Sequence, residues 1–487
     1  MMRRLTPSRH LCQGVQPPWR LIRTHLEQKP RLVLRTPLLT VLALGLAFRV
    51  LPLTQPNYLT GVLEYDDGVH YAAALALLHQ QFPYANFAFL HPPGIIVLLA
   101  PFAALGQILS QPVAMAAARL TMVAIGLASI TLVWRLARGS DLVRAVAAGA
   151  YAVAPAVLVA EHTVLLEPLL NLGTLLALRM LLRSNFPVER GVRNAGLVLG
   201  LTMSIKIFAA VVPVAIALWL LSRRQYRLAL LHVFAAGATF VLVLLPFVLR
   251  APSAAVRDIA LLQLRRPPAG IPTGDARLSD LLQLSPAFGH PVSTVGLLLA
   301  ALAIAATLAS VQHPRARLLS LMFLLTSASF FLAPSYYTHY AAFLLPPMAL
   351  LIAEAATSSA ACLSRIRRGA GRVTVTALVL VLAVGGIRTS MATPAQDDIR
   401  ANVRSLGHAP KCLFTDSASL AISADLLRPA NSRCATWVDG RGYALTLLGP
   451  NAPADFYEGG FSLSNSGNSR RGGSLNGRTP FWYEAPQ

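Results

Sequence analysis

The chain is short of charge. Asp, Glu, Lys and Arg make up 13% of its 487 residues, while 55% are hydrophobic. Ordinary soluble domains carry about a quarter charged residues, so the surface of a large soluble protein cannot be built from this composition. The little charge present is one-sided, with 42 basic residues against 20 acidic ones and a net charge of +22. Lysine is nearly absent: Lys29, Lys206 and Lys411 are the three, and arginine supplies the remainder. GC-rich coding explains that bias, which carries no functional information. Cysteine is scarce as well, with four in the chain. No internal repeat is evident.

What is present is apolar sequence of spanning length, recurring from Leu38 to Ile387. This makes the chain an all-α polytopic membrane protein. In such a chain basic residues sort to short cytoplasmic loops, which accounts for the +22 without nucleic acid as a partner. The first 37 residues form a basic segment that includes Arg3, Arg4, Arg20 and Arg35. Bulky, proline-bearing sequence follows the first apolar run, so that run is expected to be a retained span with a cytoplasmic N-terminus rather than a cleaved signal. Arginines at 135–144, 179–193, 223–227, 315–317 and 365–372 mark further cytoplasmic loops.

Two stretches resist simple spans. The run Gly94 to Leu109 is short and begins after Pro-Pro, so it is expected to be re-entrant or interfacial. Asn194 to Leu221 must leave the cytoplasm and return within too few residues for two full crossings of roughly 20 each. Two short half-depth helices meeting near Ser204-Ile205-Lys206 are expected, with Lys206 at the outward tip of a hairpin. The count is then about eleven crossings of spanning length. This places the multi-span domain at 38–389 and an extracytoplasmic soluble domain at 390–457, with a Gly/Ser/Asn-rich disordered tail at 458–487. Cys412 and Cys434 fall outside, where a disulfide is expected rather than a metal site, because no histidine cluster accompanies them.

Ionisable residues gather at the outer membrane face. "EYDDGVHY" carries Asp66 and Asp67 just beyond the first span, at the start of an amphipathic helical pattern. An interfacial helix capped by the Asp pair is the bland reading. It explains two adjacent carboxylates with Glu64 beside them less well than chemistry does. The next outer loop, "VAEHTVLLEPLLNL", holds Glu161 and His162, and Glu167 opens the following helix at membrane depth. A first-turn glutamate favours the helix dipole, yet ionisable residues at that depth are functional candidates. Arg49 and Arg119 are expected to snorkel to headgroups. Lys206 sits mid-run in "GLTMSIKIFAAVV", and Arg257, Arg265, Arg266 and Arg277 crowd a loop on the outer side against the usual charge sorting. Carboxylates able to take a proton from a hydroxyl beside cations able to hold a phosphate suit a transferase with a lipid-phosphate donor.

The stretch "YDDGVHYAAALALL…FPYANFAFLHPPG" resembles the first outer loop of polyprenyl-phosphate-dependent glycosyltransferases of the GT-C fold, the protein O-mannosyltransferase-like and aminoarabinose-transferase-like families. "LLEPLLNL", "GLTMSIK" and "YYTHYAAFLLPPMALL" are similar to their later motifs, in the same order. The resemblance implies a GT-C-type transmembrane helical bundle with a small extracytoplasmic domain in the cell membrane. It implies a polyprenyl-phosphate sugar donor, an envelope glycan, lipid or protein acceptor, and inversion at the anomeric carbon. Asp66 takes the general-base position, with Asp67 and Glu167 as further catalytic carboxylates. Lys206, His91, Arg265 and Arg266 are expected at the donor phosphate, and Tyr71, His162, Tyr337, His339 and Tyr340 are further site candidates. The metal requirement is left open, with a divalent cation one option. His91 stands where many members have lysine, and Glu167 where aspartate is common. The competing class is an ion- or proton-coupled transporter, against which stand the missing inverted repeat and the placement of acidic groups at one face.

Overall fold

The computed structural model describes residues 36–182, 188–288, 313–361, 365–391, 398–404, 413–415, 417–428, 437–448 and 482–484. Ten helices build the first half: α1 (Thr36–Leu53), α2 (Tyr65–Leu78), α3 (Gly94–Ile108), α4 (Gln111–Leu136), α5 (Asp141–Val153), α6 (Pro155–Glu161), α7 (Glu167–Leu181), α8 (Val188–Met203), α9 (Val211–Ser222) and α10 (Tyr226–Val248). Helices Pro314–Leu332, Leu345–Ala361 and Arg365–Met391 follow. Strand content among the described residues is slight. One two-residue parallel pair joins β1 (Ala269–Gly270) to β2 (Ser335–Tyr336), tying the loop after α10 to the segment that enters the central helix.

Among the described residues, five helices are long and apolar enough to cross a membrane: α1, α4, α10, Pro314–Leu332 and Thr338–Thr357. The pair α5 and α6 is long and apolar enough only when taken together, and is bent by 57° where Pro155 interrupts the backbone ladder. The chain is a multi-pass membrane protein. The expectation of about eleven crossings, which leaves out the re-entrant α3, also counts shorter apolar helices (Ile207–Ser222, Thr376–Met391), below the roughly 20 residues of a full span. It also counts residues 289–312, which lie outside the described residues. Leu230, Phe234 and Leu242 on α10 are more than two-thirds exposed, as a lipid-facing stripe must be. The Thr338–Thr357 span is the most enclosed of the five. Its first turn is 3-10, and Pro346 lacks the N–H that would close on the Ala342 carbonyl. That oxygen accepts the Leu345 N–H of the 3-10 turn and also Asn171 Nδ2 at 3.1 Å, pinning the helix to α7.

The break at Ser204–Lys206 is present, between α8 and a 3-10 turn at Ile207–Ala210. Its arms are not a half-depth hairpin packed on itself. α8 packs chiefly on α10 and α7, and α9 on α10 and Pro314–Leu332. Each arm has 16 residues (Val188–Met203 and Ile207–Ser222), so each rises by about 24 Å, most of a bilayer's apolar thickness. The short α3 is as expected in length and starts against this break. Gly94 N–H donates to the Ser204 carbonyl at 2.7 Å, and a Cβ on Gly94 would stand 2.6 Å from that same oxygen. Glycine after "HPP" is what lets the loop before α3 touch the turn that carries Lys206.

Part of the tail expected as an extracytoplasmic domain at 390–457 is described, and it docks on the helical bundle. Its described helix Ala418–Ala424 packs on α2 and α4, and its apolar residues belong to the main core. Gly68 N–H donates to Ser419 Oγ at 2.9 Å, and Ser419 Oγ donates to the Glu64 carbonyl at 2.7 Å. Asp425 and Leu427 are bonded to Gln111 at the start of α4. Cys412, Cys434, the N-terminal basic segment and residues 458–481 lie outside the described residues.

Candidate active site

The two neighbouring aspartates do different things. Successive helical residues point about 100° apart, so Asp66 and Asp67 cannot share a face of α2. Asp67 is fully buried. Its Oδ2 accepts from Arg119 Nη2 and Nε at 2.7 and 3.1 Å, and its Oδ1 accepts the Val164 N–H at 2.7 Å. Arg119 also donates to the carbonyls of Tyr58, Leu59 and Gly61. It is 1% exposed and does not snorkel. The Asp67–Arg119 pair therefore clasps the connection from α1 into α2. The helix cap is neither aspartate but Glu64, whose Oε1 accepts the Tyr65 N–H at 3.2 Å.

Asp66, freed from that work, faces a cavity whose walls come from four parts of the chain. The stretch between α1 and α3 gives Glu64, Asp66 and His91, and the loop after α10 gives Arg266. The entry to the central helix gives Tyr337, His339 and Tyr340, and the tail gives Asp439 and Arg441. Tyr337 and His339 stack with ring centroids 5.9 Å apart, and His70 lies 5.7 Å from His91. Behind Tyr340 sits Lys206, its Nζ 4.1 Å from the ring centroid and 4.5 Å from that of Phe208. Lys206 Nζ donates to Glu167 Oε1 at 2.7 Å, with both groups buried. Glu167 thus holds the lysine rather than lining the cavity, and its Oε2 has no hydrogen-bond partner among the described residues.

Burial opposes ionisation of Asp66. The facing His70, His91, His339 and Lys206 more than offset it and hold its carboxyl at about 2. Burial, and then the Lys206 charge, pushes His91 well below the usual imidazole range, so its ring is neutral near pH 7. Burial raises Glu64 to about 7, helped by the charges of Asp66 and Asp67, and raises Asp439 to about 6. One wall of the cavity thus carries a permanent carboxylate beside two carboxyls that titrate close to neutrality.

Several sequence candidates stand elsewhere. Tyr71 is buried against α3, its hydroxyl 3.5 Å from the Phe102 carbonyl. His162 packs edge-on to Tyr58 beside the end of α1. Arg265 is exposed outside the cavity wall, whereas Arg266 is in it. Arg277 binds the carbonyls of Ile271 and Ala333 and holds the β1–β2 crossing, so it is not an anion site. Glu161 ends α6 in a buried ion pair with Arg49, which accounts for both without snorkelling. Sequence reasoning missed His70, although it lies one turn after Asp66 on the same helix face. It also missed Asp439 and Arg441, for which the soluble composition of the tail offered no signal. Among the described residues, no group of three or more His, Cys, Asp or Glu is arranged to hold a metal ion.

Solved structures share this architecture. ArnT from Cupriavidus metallidurans bound to undecaprenyl phosphate matches with a TM-score of 0.53 at 15% identity, over 80% of this chain and 84% of that one. The chain has the GT-C fold. The apo form of ArnT matches at a TM-score of 0.50. The apo oligosaccharyltransferase from Archaeoglobus fulgidus matches at 0.51 and 12% identity, over 76% of this chain and 57% of that one. This GT-C chain thus spans little more than half the length of that enzyme. No family model and no curated protein sequence matches the chain.

Proposed function

We propose that the protein is a membrane glycosyltransferase that moves a sugar from a polyprenyl-phosphate donor to an acceptor hydroxyl on the extracytoplasmic side. The observation that carries this reading is Asp66. In a GT-C bundle it is the ionised carboxylate of the first outer loop that lines a cavity, while its neighbour Asp67 is consumed by Arg119.

In the proposed reaction the Asp66 carboxylate takes the acceptor proton as that oxygen attacks the anomeric carbon. The bond from this carbon to the phosphate oxygen breaks, and its electron pair leaves with the polyprenyl phosphate. Attack opposite the leaving group inverts the centre. Arg266 and Arg441 at the cavity wall, with Lys206 behind Tyr340, are the cations available to the growing phosphate charge. Glu167 is a positioning residue for Lys206. A carboxyl held at about 2 is by itself a weak base. The anionic donor arriving beside it raises it toward the working range, as any like charge does. Glu64 is the competing base, since it shares the wall and stands at about 7. Its cap bond to Tyr65 already explains its presence. Proteoliposomes given radiolabelled sugars on undecaprenyl phosphate, with envelope extract as acceptor, test the reading. Label should pass from the lipid to acceptor with inversion. Failure to consume any donor of a hexose, pentose and aminopentose set refutes it.

A further inference from the structure

Beside the Asp66 cavity lies a larger hollow. It runs between the tip of the first outer loop (Tyr84, Asn86, Phe87) and the tail (Trp437, Asp439, Tyr443). Asp439 belongs to the walls of both, so the two spaces adjoin. Their sizes differ in a useful way. The Asp66 cavity encloses about 60 Å³, room for a few waters. The groove encloses about 360 Å³, within the range of small-molecule sites. A bulky acceptor therefore rests in the groove and presents only its reacting end at Asp66.

The lining indicates the chemistry of that acceptor. Trp437 and Tyr443 are 44% and 40% exposed, their ring centroids 4.6 Å apart and their planes tilted by 54°. Exposed aromatic rings with polar edges suit a ligand that is apolar on one face and wet at its rim. A sugar ring is such a ligand, with C–H bonds on its faces and hydroxyls around its edge. Asn86, Asp439 and Thr446 line the same groove and offer amide, carboxyl and hydroxyl partners. Among the described residues, its one cationic side chain, Arg257, is already paired with Asp258 at 2.7 Å. No cationic cluster of described residues lines it to select a phosphorylated ligand.

We infer that this groove binds a neutral saccharide unit of the acceptor, stacked on Trp437 and Tyr443, and leads its hydroxyl past Asp439 to Asp66. The inference rests on the glycosyltransfer reading but is tested without turnover. Full-length protein in nanodiscs is titrated with maltotriose, cellotriose, mannotriose and chitotriose, and binding is read by saturation-transfer NMR. At least one trisaccharide should bind. Trp437→Ala and Tyr443→Ala should each weaken it by about tenfold, the scale of one lost aromatic stack, while Trp437→Phe retains most of it. Trp437 is exposed, so Trp437→Ala should melt like the parent, which separates lost binding from lost fold. The binding readout needs no turnover, so failure of Asp66 as the base leaves this result unchanged. Absence of binding by all four sugars, or equal binding by Trp437→Ala, overturns the inference.

Discussion

Replacing Arg119 by alanine should be among the most damaging single changes outside the cavity. The substitution leaves the fully buried Asp67 carboxylate with the Val164 N–H as its one remaining partner. It also strips a donor from the carbonyls of Tyr58, Leu59 and Gly61. Breaking one side of a buried ion pair costs about 3–5 kcal/mol, because the remaining charge stays desolvated. Each carbonyl adds up to about 1–3 kcal/mol unless water reaches it. A loss of at least about 3–5 kcal/mol is therefore expected from denaturant titration in detergent. Arg119→Lys should recover part of it, since one ammonium cannot reproduce a two-nitrogen contact plus three carbonyl bonds. The double variant Asp67→Asn/Arg119→Met should be less damaged than the sum of its single changes, as expected when neither leaves an unpaired charge. Arg119→Ala within about 1 kcal/mol of the parent, the ceiling for a surface pair, would refute the clasp and return Arg119 to a snorkelling role.

Other outcomes follow from the same geometry. Lys206→Ala should weaken both donor binding and turnover, and Glu167→Gln should reproduce part of that loss by releasing the lysine. Normal kinetics in both variants would remove the pair from the site. Gly68→Val should detach the tail, because even a Cβ at Gly68 lies 2.1 Å from Ser419 N. Faster tryptic cleavage at Arg428 reads this out, and an unchanged digestion pattern argues against docking. Glu64 is raised from its ordinary 4.5 to about 7, so the folded state binds the proton more tightly than the unfolded chain. Its contribution to stability is present below pH 4.5 and is lost as pH rises to about 7, then stays flat. Melting curves of Glu64→Gln should lack that decline between pH 4.5 and 7, and identical curves for both proteins contradict the assignment. A single cysteine at Asn86 should react with an impermeant thiol reagent in intact cells, and labelling only after lysis would invert the topology.

Much of the fold was legible because its signals are local. Apolar runs gave α1, α4 and α10, and "SIK" marked the break after α8 by its charge amid apolar sequence. The carboxylate–cation gathering was legible as a gathering, and the resemblance correctly implied the GT-C fold. Its internal pairing was not legible. Nothing in the one-dimensional pattern says that Arg119 lies across from Asp67 or Arg49 across from Glu161, because helix packing decides both contacts. The tail's contacts were not legible either. The small residues of "ASLAISA" let Ala418–Ala424 lie flush on α2. Asp439 and Arg441 are held at the cavity by Tyr65, whose hydroxyl donates to Asp439 Oδ1 and accepts the Arg441 N–H.

The decisive measurement is the turnover of Asp66→Asn beside its affinity for a polyprenyl-phosphate sugar, in one reconstituted preparation with Glu64→Gln as comparison. The amide matches the carboxylate in shape but cannot accept the proton. Turnover should fall by about 10²–10⁴-fold, the usual worth of a general base, with donor affinity and melting behaviour near those of the parent. Glu64→Gln should lose far less. Near-normal turnover in Asp66→Asn, or the large loss appearing in Glu64→Gln instead, would contradict the assignment of Asp66 as the base.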